Sequence, residues 1–240
     1  MSAATYDENL VTLQHIHDKC AYYTTIENVD MNNNFSVIHM NVRSMKNKRD
    51  EILSFLTRSD IQWDVICISE TWLKDDITKY YDIDKYNLFA SCRQIGEGGG
   101  TAIYVHTNHD VIERKDLECV EFETNFVQLK VATQSGIKTI LIGEIYKPPN
   151  SINANFVTYV EKVLEIIENE RKFAIITGDF NYDLLPLKHN KCANDFANLM
   201  TSYGFFPMIS KATRKQKQSE SLLDNIFINN LSVYHLSGIF

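Results

Sequence analysis

The stretch that decides the fold is FAIITGDFN, residues 173–181. Its first five residues form an apolar run of strand length, which Gly178 then interrupts. Strand side chains alternate, so we expect Asp179 and Asn181 to face the same way and to offer a base and a hydrogen-bond donor to a phosphate. Gly178 permits a sharp turn or a close approach to a ligand. An Asx-type turn, in which Asp179 and Asn181 satisfy local backbone groups, also explains these four residues and, taken alone, is slightly favoured by them.

The composition indicates an ordinary globular chain of 240 residues, with 44% hydrophobic and 23% charged residues. The net charge of -7 argues against broad electrostatic wrapping of nucleic acid, and it suits a site that concentrates carboxylates around a cation. The five cysteines lack zinc-ligand spacing, which favours reduced thiols in a reducing compartment. The N-terminus lacks a signal-peptide pattern, and no apolar run approaches the ~20 residues that span a bilayer. We therefore expect an intracellular protein that is neither secreted nor membrane-bound.

The order of apolar runs predicts one α/β domain over residues 35–240, preceded by a leader over residues 1–34. The leader could form a short amphipathic helix over residues 7–19. Strand-like and helix-like segments alternate from residue 35 onward. Between residues 86 and 146, five strand-like runs, including residues 118–122, follow one another without a helix, so we expect them to be antiparallel. Two mixed β-sheets packed face to face, with helices outside, accommodate this order better than a parallel doubly wound sheet.

Polar residues follow or interrupt several apolar runs, where they are out of keeping with their neighbours. If they share one rim of the sandwich, they supply oxygen ligands suited to Mg²⁺, a base for an attacking water and donors for a phosphodiester. These residues are Asn41, Glu70, Tyr146, Asp179, Asn181 and Asp224.

Most of these residues also have a structural explanation. Asn41 could cap the following helix, Glu70 could pair with Lys74, and Tyr146 could belong to the core. Asp224 is harder to explain, because a carboxylate inside an apolar strand needs a partner.

Six motifs in a fixed order carry a resemblance to a known family. They are HMNVRSM (39–45), SETWL (69–73), GGTAIYV (99–105), YKPPN (146–150), GDFN (178–181) and LLDNIFIN (222–229). The chain resembles the endonuclease/exonuclease/phosphatase superfamily and, more closely, the endonuclease domain of non-LTR retrotransposons. The resemblance implies a four-layer, DNase I-like α/β sandwich. It also implies Mg²⁺-dependent nicking of DNA, with Mn²⁺ as an alternative metal, to prime a reverse transcriptase encoded C-terminally. The expected location is then the nucleus.

The resemblance also implies roles for the residues that match these motifs. Glu70 would be the principal metal ligand, with Asn41 beside it, and Asp179 would activate the water. Asn181 would hold the scissile phosphate or the metal shell, and Tyr146 would contact the phosphate or stabilise the leaving group.

Three further residues complete the predicted site, with Asp224 among the catalytic residues and Asn150 and Arg43 as substrate contacts. Asn150 matches the asparagine of the family's Tyr-Pro-Asn motif, although the double proline shifts its spacing. Asp224 would orient a catalytic histidine. Arg43, at the start of a basic segment, could contact DNA phosphates or simply begin a solvated helix. The basic loop at residues 214–217 could likewise enter a DNA groove or be an ordinary surface loop.

The histidine is where the sequence departs from the family. A Ser-Asp-His motif normally follows the LLDNIF strand, but residues 237–240 read Ser-Gly-Ile-Phe, and His235 lies between Tyr234 and Leu236. We expect an endonuclease domain that is incomplete at its C-terminus and lacks its last core strand. The alternatives are a catalytically inactive relic that retains binding and a phosphatase of the same superfamily.

Overall fold

The structure, a computed structural model, describes most of the chain from Cys20 onward. The described residues are 20–23, 34–59, 61–74, 78–93, 96–119, 121–133, 136–185, 190–217, 219–231 and 237–239. The predicted leader helix at residues 7–19 and His235 both lie outside these ranges. Cys20–Tyr22 (β1), within the stretch predicted as a leader, pairs in parallel with Ser237–Ile239 (β14).

The smaller of the two main sheets has four strands in the order β2-β3-β5-β4. The pair β2 and β3 is parallel and the other pairs are antiparallel, so the sheet is mixed. The helix α1, Met45–Arg58, connects β2 to β3. The strands are Val37–Asn41 (β2), Val65–Ser69 (β3), Tyr86–Ser91 (β4) and Thr101–His106 (β5).

The larger sheet has six strands in the order β10-β13-β9-β8-β7-β6 and is also mixed. Only β8 and β9 are parallel, and the helix α2, Asn153–Asn169, joins them. A further helix, α3, covers Lys191–Ser202. The strands are Asp110–Glu113 (β6), Glu123–Thr133 (β7), Gly136–Tyr146 (β8), Phe173–Asp179 (β9), Phe206–Pro207 (β10) and Asp224–Ile228 (β13).

The smallest elements lie outside the two main sheets. Two short strands, Arg214–Gln216 (β11) and Ser219–Ser221 (β12), form a separate antiparallel hairpin. Two 3₁₀ helices cover Thr78–Tyr81 and Lys115–Leu117. None of the described helices is both long enough and apolar enough to cross a membrane.

Three apolar clusters show how these elements stack into layers. The middle cluster joins inward-facing residues of both sheets, including Val65, Val105, Val127, Ile142 and Ile175. One outer cluster packs α1 against the four-stranded sheet, and the other packs α2 and α3 against the six-stranded sheet. The predicted architecture of two mixed sheets face to face, with helices outside, is therefore confirmed.

The predicted strand at residues 118–122 is wrong. Residues 118–119 and 121–122 are turn and irregular structure, and β7 begins only at Glu123. Phe122 is apolar because it fills the core cluster beneath α2, and Cys119 packs against the same cluster. Burial alone therefore produced a strand-like pattern at this position.

Candidate active site

The predicted site residues come from strand ends that meet at one rim of the sandwich. In the six-stranded sheet, Asp179 of β9 lies opposite Tyr146 of β8 on one side and Asp224 of β13 on the other. In the four-stranded sheet, Asn41 ends β2 and pairs with Ser69, so Glu70 follows directly on the neighbouring strand. The topology of both sheets thus delivers these side chains to the same edge.

Asn41 links the two sheets through its amide group. Its Nδ2 donates to Glu70 Oε1 at 2.7 Å and to Asp179 Oδ2 at 2.7 Å. Asp179 is fully buried, so this contact lies between the layers rather than on an open surface. One side chain of the smaller sheet therefore fixes a carboxylate of the larger sheet. The catalytic roles of these residues stay predictions.

Asp179 takes part both in a local turn and in the cluster. Its Oδ1 accepts from the backbone N–H of Asn181 at 3.1 Å, which is the Asx-type contact. Its Oδ2 accepts a hydrogen bond from Asn41 and pairs with the guanidinium of Arg214. The two explanations of GDFN are therefore compatible, because the two carboxylate oxygens have separate partners.

The expectation that Asn181 faces the same way as Asp179 through strand alternation is wrong. β9 ends at Asp179, and Asn181 has a left-handed backbone with φ of 50°. Asn181 Nδ2 donates to the carbonyl oxygen of Lys147 at 2.7 Å. The amide therefore ties the GDFN loop to the segment that follows β8.

Gly178 is required by a close approach of two strands. A Cβ at this position would lie 2.0 Å from the carbonyl oxygen of Ile145 on β8. Real Cβ contacts are never so short, so any side chain here would force β8 and β9 apart. The glycine of GDFN thus serves strand packing beside the site and need not face a ligand.

Arg214 belongs to the site, although the sequence placed it only in a basic loop. The hairpin β11–β12 carries it, and its guanidinium NH2 lies 2.5 Å from Asp179 Oδ2 and its Nε 3.5 Å from Asp224 Oδ2. Thr213 Oγ1 also donates to Asp224 Oδ2 at 2.8 Å. Among the described residues, Thr213 and Arg214 are therefore the partners that the Asp224 carboxylate requires inside its apolar strand. Two features of the sequence could have indicated this role of Arg214: the Asp224 carboxylate requires a partner, and a basic loop lies just before its strand.

Burial and charge shift the acidity of the central groups. Burial raises the pKa of Asp179 to about 6, Asp224 adds to the rise, and Arg214 opposes it. Burial, together with the charges of Glu70 and Asp179, raises the pKa of Tyr146 to about 12. Tyr146 therefore keeps its proton at neutral pH and can donate a hydrogen bond. Asp179 titrates in the range that suits a general base near neutrality.

A second polar group lies one step deeper between the sheets, and the sequence did not indicate it. His39 Nε2 lies 3.2 Å from Glu144 Oε1 and 3.2 Å from Ser69 Oγ, and Thr177 Oγ1 donates to Glu144 Oε2 at 2.5 Å. Glu144 interrupts an apolar strand, as Asp224 does. The same reasoning about buried carboxylates would have found it.

Two predicted substrate residues lie apart from this cluster. Asn150 lies on an exposed turn after β8, and Arg43 is exposed on the connection between β2 and α1. Among the described residues, no hydrogen bond joins either side chain to the cluster. Glu70 at the rim and Arg43 on the neighbouring connection both have positive φ, 54° and 46°, which is a strained backbone conformation for residues other than glycine.

Comparison with known proteins identifies the family. A model of the endonuclease/exonuclease/phosphatase family matches residues 28–236. The chain belongs to this family. No curated protein sequence matches it.

Solved structures of this fold include two endonucleases and a further catalytic domain, all at low sequence identity. The endonuclease domain of TRAS1, a telomere-specific non-LTR retrotransposon, is 17% identical with a TM-score of 0.62, over 81% of this chain and 85% of that one. The Xenopus laevis APE2 catalytic domain is 15% identical with a TM-score of 0.63, over 80% and 82%. An AP endonuclease from Archaeoglobus fulgidus is 16% identical with a TM-score of 0.56, over 80% and 86%. At these identities the matches establish the fold.

Endonuclease/exonuclease/phosphatase proteins are typically divalent-metal dependent, and the rim residues fit such an ion. Asn41 Oδ1 and Asp224 Oδ1 are buried and have no hydrogen-bond partner among the described residues. The unpaired amide oxygen of Asn41 and the neighbouring Glu70 carboxylate are oxygen ligands of the kind that Mg²⁺ prefers. No group of three or more His, Cys, Asp and Glu side chains in the described part of the chain is arranged to hold a metal. The fit therefore rests on one amide with carboxylates, in keeping with an ion that retains several waters.

Proposed function

We propose that this domain is a Mg²⁺-dependent endonuclease that nicks DNA by hydrolysing a phosphodiester bond. The observation that carries the proposal is the inter-sheet contact in which Asn41 Nδ2 bonds both Glu70 and Asp179 at 2.7 Å. This contact supports the proposal because it brings Asn41 and Glu70, the proposed metal ligands, together with the buried carboxylate of Asp179. The superfamily supplies the reaction class, phosphodiester hydrolysis.

The rim residues have separate proposed roles in metal binding, proton transfer and phosphate binding. Glu70 and Asn41 Oδ1 would hold the metal, with Mn²⁺ as an alternative. A bound ion supplies positive charge that polarises the phosphodiester and stabilises the leaving oxygen. Asp179 accepts the proton of the attacking water, because its pKa of about 6 leaves it mostly ionised at neutral pH. Tyr146 stays protonated and donates to the phosphate, and Arg214 offers positive charge to the same group.

Motif order supports a narrower setting. The six motifs resemble non-LTR retrotransposon endonucleases, and one similar structure is the endonuclease domain of such an element. We infer that the nick leaves a 3′-hydroxyl, which primes a reverse transcriptase encoded C-terminally in the parent element. This role places the protein in the nucleus, where target DNA is found. Arg43, two residues after Asn41, and Asn150, four residues after Tyr146, are both exposed and are the proposed contacts to neighbouring phosphates.

The test is a nicking assay on supercoiled plasmid DNA with Mg²⁺. We expect nicked circles whose ends a DNA polymerase can extend, no product in EDTA, and a loss of about 100-fold or more for Asp179→Ala. Asp195→Ala is the matched control, because Asp195 is an exposed carboxylate on α3 that pairs with Lys191. Nicking that survives Asp179→Ala would refute the proposed role of the site.

The same protein separates the two alternatives. A phosphatase would release inorganic phosphate from a phosphomonoester and leave the plasmid supercoiled. A catalytically inactive relic would do neither, although it could still bind DNA in a mobility-shift assay.

A further inference from the structure

Trp72 has a large aromatic side chain that is exposed to solvent. Its neighbours Thr71 and Leu73 are 1% and 2% exposed, whereas Trp72 itself is 44% exposed. The other tryptophan of the chain, Trp63, is buried. The segment is therefore anchored on both sides of an indole that remains accessible to solvent.

The backbone around Trp72 is fixed by neighbours on two sides. The N–H groups of Thr71 and Trp72 donate to the carbonyl oxygens of Gly100 and Gly99 at 3.2 Å and 2.9 Å. On the other side, Met45 donates its N–H to Thr71 O at 2.8 Å. The chain holds Trp72 at φ of 55°, a conformation that bulky residues rarely adopt. Strain of this kind persists only where the surroundings impose it, and it is concentrated at functional sites.

The indole lies next to the proposed catalytic rim. Trp72 is two residues after Glu70, which has the same left-handed backbone, with φ of 54°. Trp72 Nε1 packs beside Gly98, where an added Cβ would lie 3.4 Å away. The same glycine borders Arg93, whose guanidinium bonds Glu123 Oε1 at 2.5 Å. Arg93 and Tyr146 also interact electrostatically, which relates the indole to the site through Gly98 and Arg93.

We propose that Trp72 is a stacking platform for an unpaired nucleobase of the DNA strand beside the scissile phosphate. The proposal rests on the proposed nuclease function, because the rim supplies the adjacent phosphate site. An exposed, preorganised indole loses little conformational entropy on stacking. A chain with net charge -7 has little general attraction for DNA, so a contact that does not depend on charge matters more here.

The test measures binding in EDTA, so that it does not depend on cleavage. The probes are a fluorescein-labelled single-stranded oligothymidylate and a fully paired duplex, followed by anisotropy. Trp72→Ala should weaken binding of the single strand by roughly 5- to 100-fold, the range of one lost stacking contact, whereas Trp72→Phe should largely retain it. Tyr80→Ala is the control for the loss of an exposed aromatic side chain elsewhere on the surface. Tyr80 is 67% exposed in the 3₁₀ helix Thr78–Tyr81, and the adjacent Tyr81 packs on the outer face of the four-stranded sheet.

Two further measurements distinguish stacking from a general surface contact. Indole emission of the wild type should be quenched by the single strand, and Trp72→Phe, which emits only from buried Trp63, should show no such change. The loss caused by Trp72→Ala should be similar at low and high salt, because stacking releases no counterions. Equal losses on single strand and duplex, or wild-type affinity for Trp72→Ala, would overturn the proposal.

The outcomes also separate this proposal from the proposed function. A protein that nicks plasmid but binds the single strand independently of Trp72 refutes only the stacking platform. A protein that binds through Trp72 but never nicks supports the platform and refutes only the nuclease.

Discussion

The pair of His39 and Glu144 predicts how the stability of the fold depends on pH. Burial alone would lower the pKa of His39, but the charge and hydrogen bond of Glu144, with Asp224 and Asp179 beyond, raise it from 6.5 to about 9. A group whose pKa is raised in the folded state stabilises the fold below its unfolded pKa. That stabilisation is lost as the pH rises towards the folded value.

The magnitude follows from the size of the rise. A change from 6.5 to about 9, at about 1.4 kcal/mol per pH unit, corresponds to about 3 kcal/mol of unfolding free energy. The contribution should be complete below about pH 6.5, decline above it, and be gone a little above pH 9. Both side chains are almost fully buried, so solvent screening takes little from this value.

The assay is urea unfolding followed by circular dichroism at several values between about pH 6 and pH 9.5, with EDTA and a thiol reductant present. The reference is the double variant His39→Gln/Glu144→Gln, which keeps polar side chains and removes both charges. The difference between the two proteins should shrink by about 3 kcal/mol over this range, because titrations elsewhere in the chain cancel. Parallel pH profiles would refute the reasoning, as would a difference that grows with pH.

Two other perturbations test contacts near the rim. Arg214→Ala removes the guanidinium that pairs with Asp179 and Asp224, so we expect a loss of about 1–3 kcal/mol of unfolding free energy. If Arg214 and Mg²⁺ neutralise the same carboxylates, adding Mg²⁺ should raise Tm more in Arg214→Ala than in the wild type or in Arg214→Lys, and equal Mg²⁺ responses would contradict this explanation. Gly178→Ala should cost about 3 kcal/mol or more in urea unfolding, because its Cβ would meet backbone at 2.0 Å, whereas Gly204→Ala, with φ of 73° and open space, should cost only about 1–2 kcal/mol.

The sequence predicted the sheets and the rim well because both leave local signals. Apolar runs of strand length mark β3 and β9, and polar residues out of pattern mark the strand ends at Asn41 and Glu70. The hairpin β11–β12 escaped prediction, because short exposed strands carry no apolar periodicity. The role of Arg214 depends on where that hairpin folds back. That is a long-range contact, and local patterns do not encode it.

The turn at GDFN shows a second limit of local patterns. The sequence prediction assumed that strand alternation continues through Asn181. The strand instead ends at Asp179, whose carboxylate accepts a hydrogen bond from the backbone N–H of Asn181. A side chain that satisfies backbone groups competes with strand geometry, and the competition is decided within one or two residues. Predictions about which side chains share a face are therefore weakest at strand ends, where functional residues concentrate.

The two polar groups between the sheets have a common geometric origin. β2 carries His39 and Asn41, β8 carries Glu144 and Tyr146, and β9 carries Thr177 and Asp179. Members of each pair are two residues apart and so face the same way, and the register pairs Glu144 with Thr177 and Tyr146 with Asp179. In the deeper layer, Thr177 bonds Glu144 Oε2 and His39 lies 3.2 Å from Glu144 Oε1 as an ion-pair partner. In the rim layer, Asn41 Oδ1 and Asp224 Oδ1 have no hydrogen-bond partner among the described residues. Because the same strands carry both layers, each layer also joins the two sheets, the deeper one through His39 and Glu144 and the rim layer through Asn41 and Asp179.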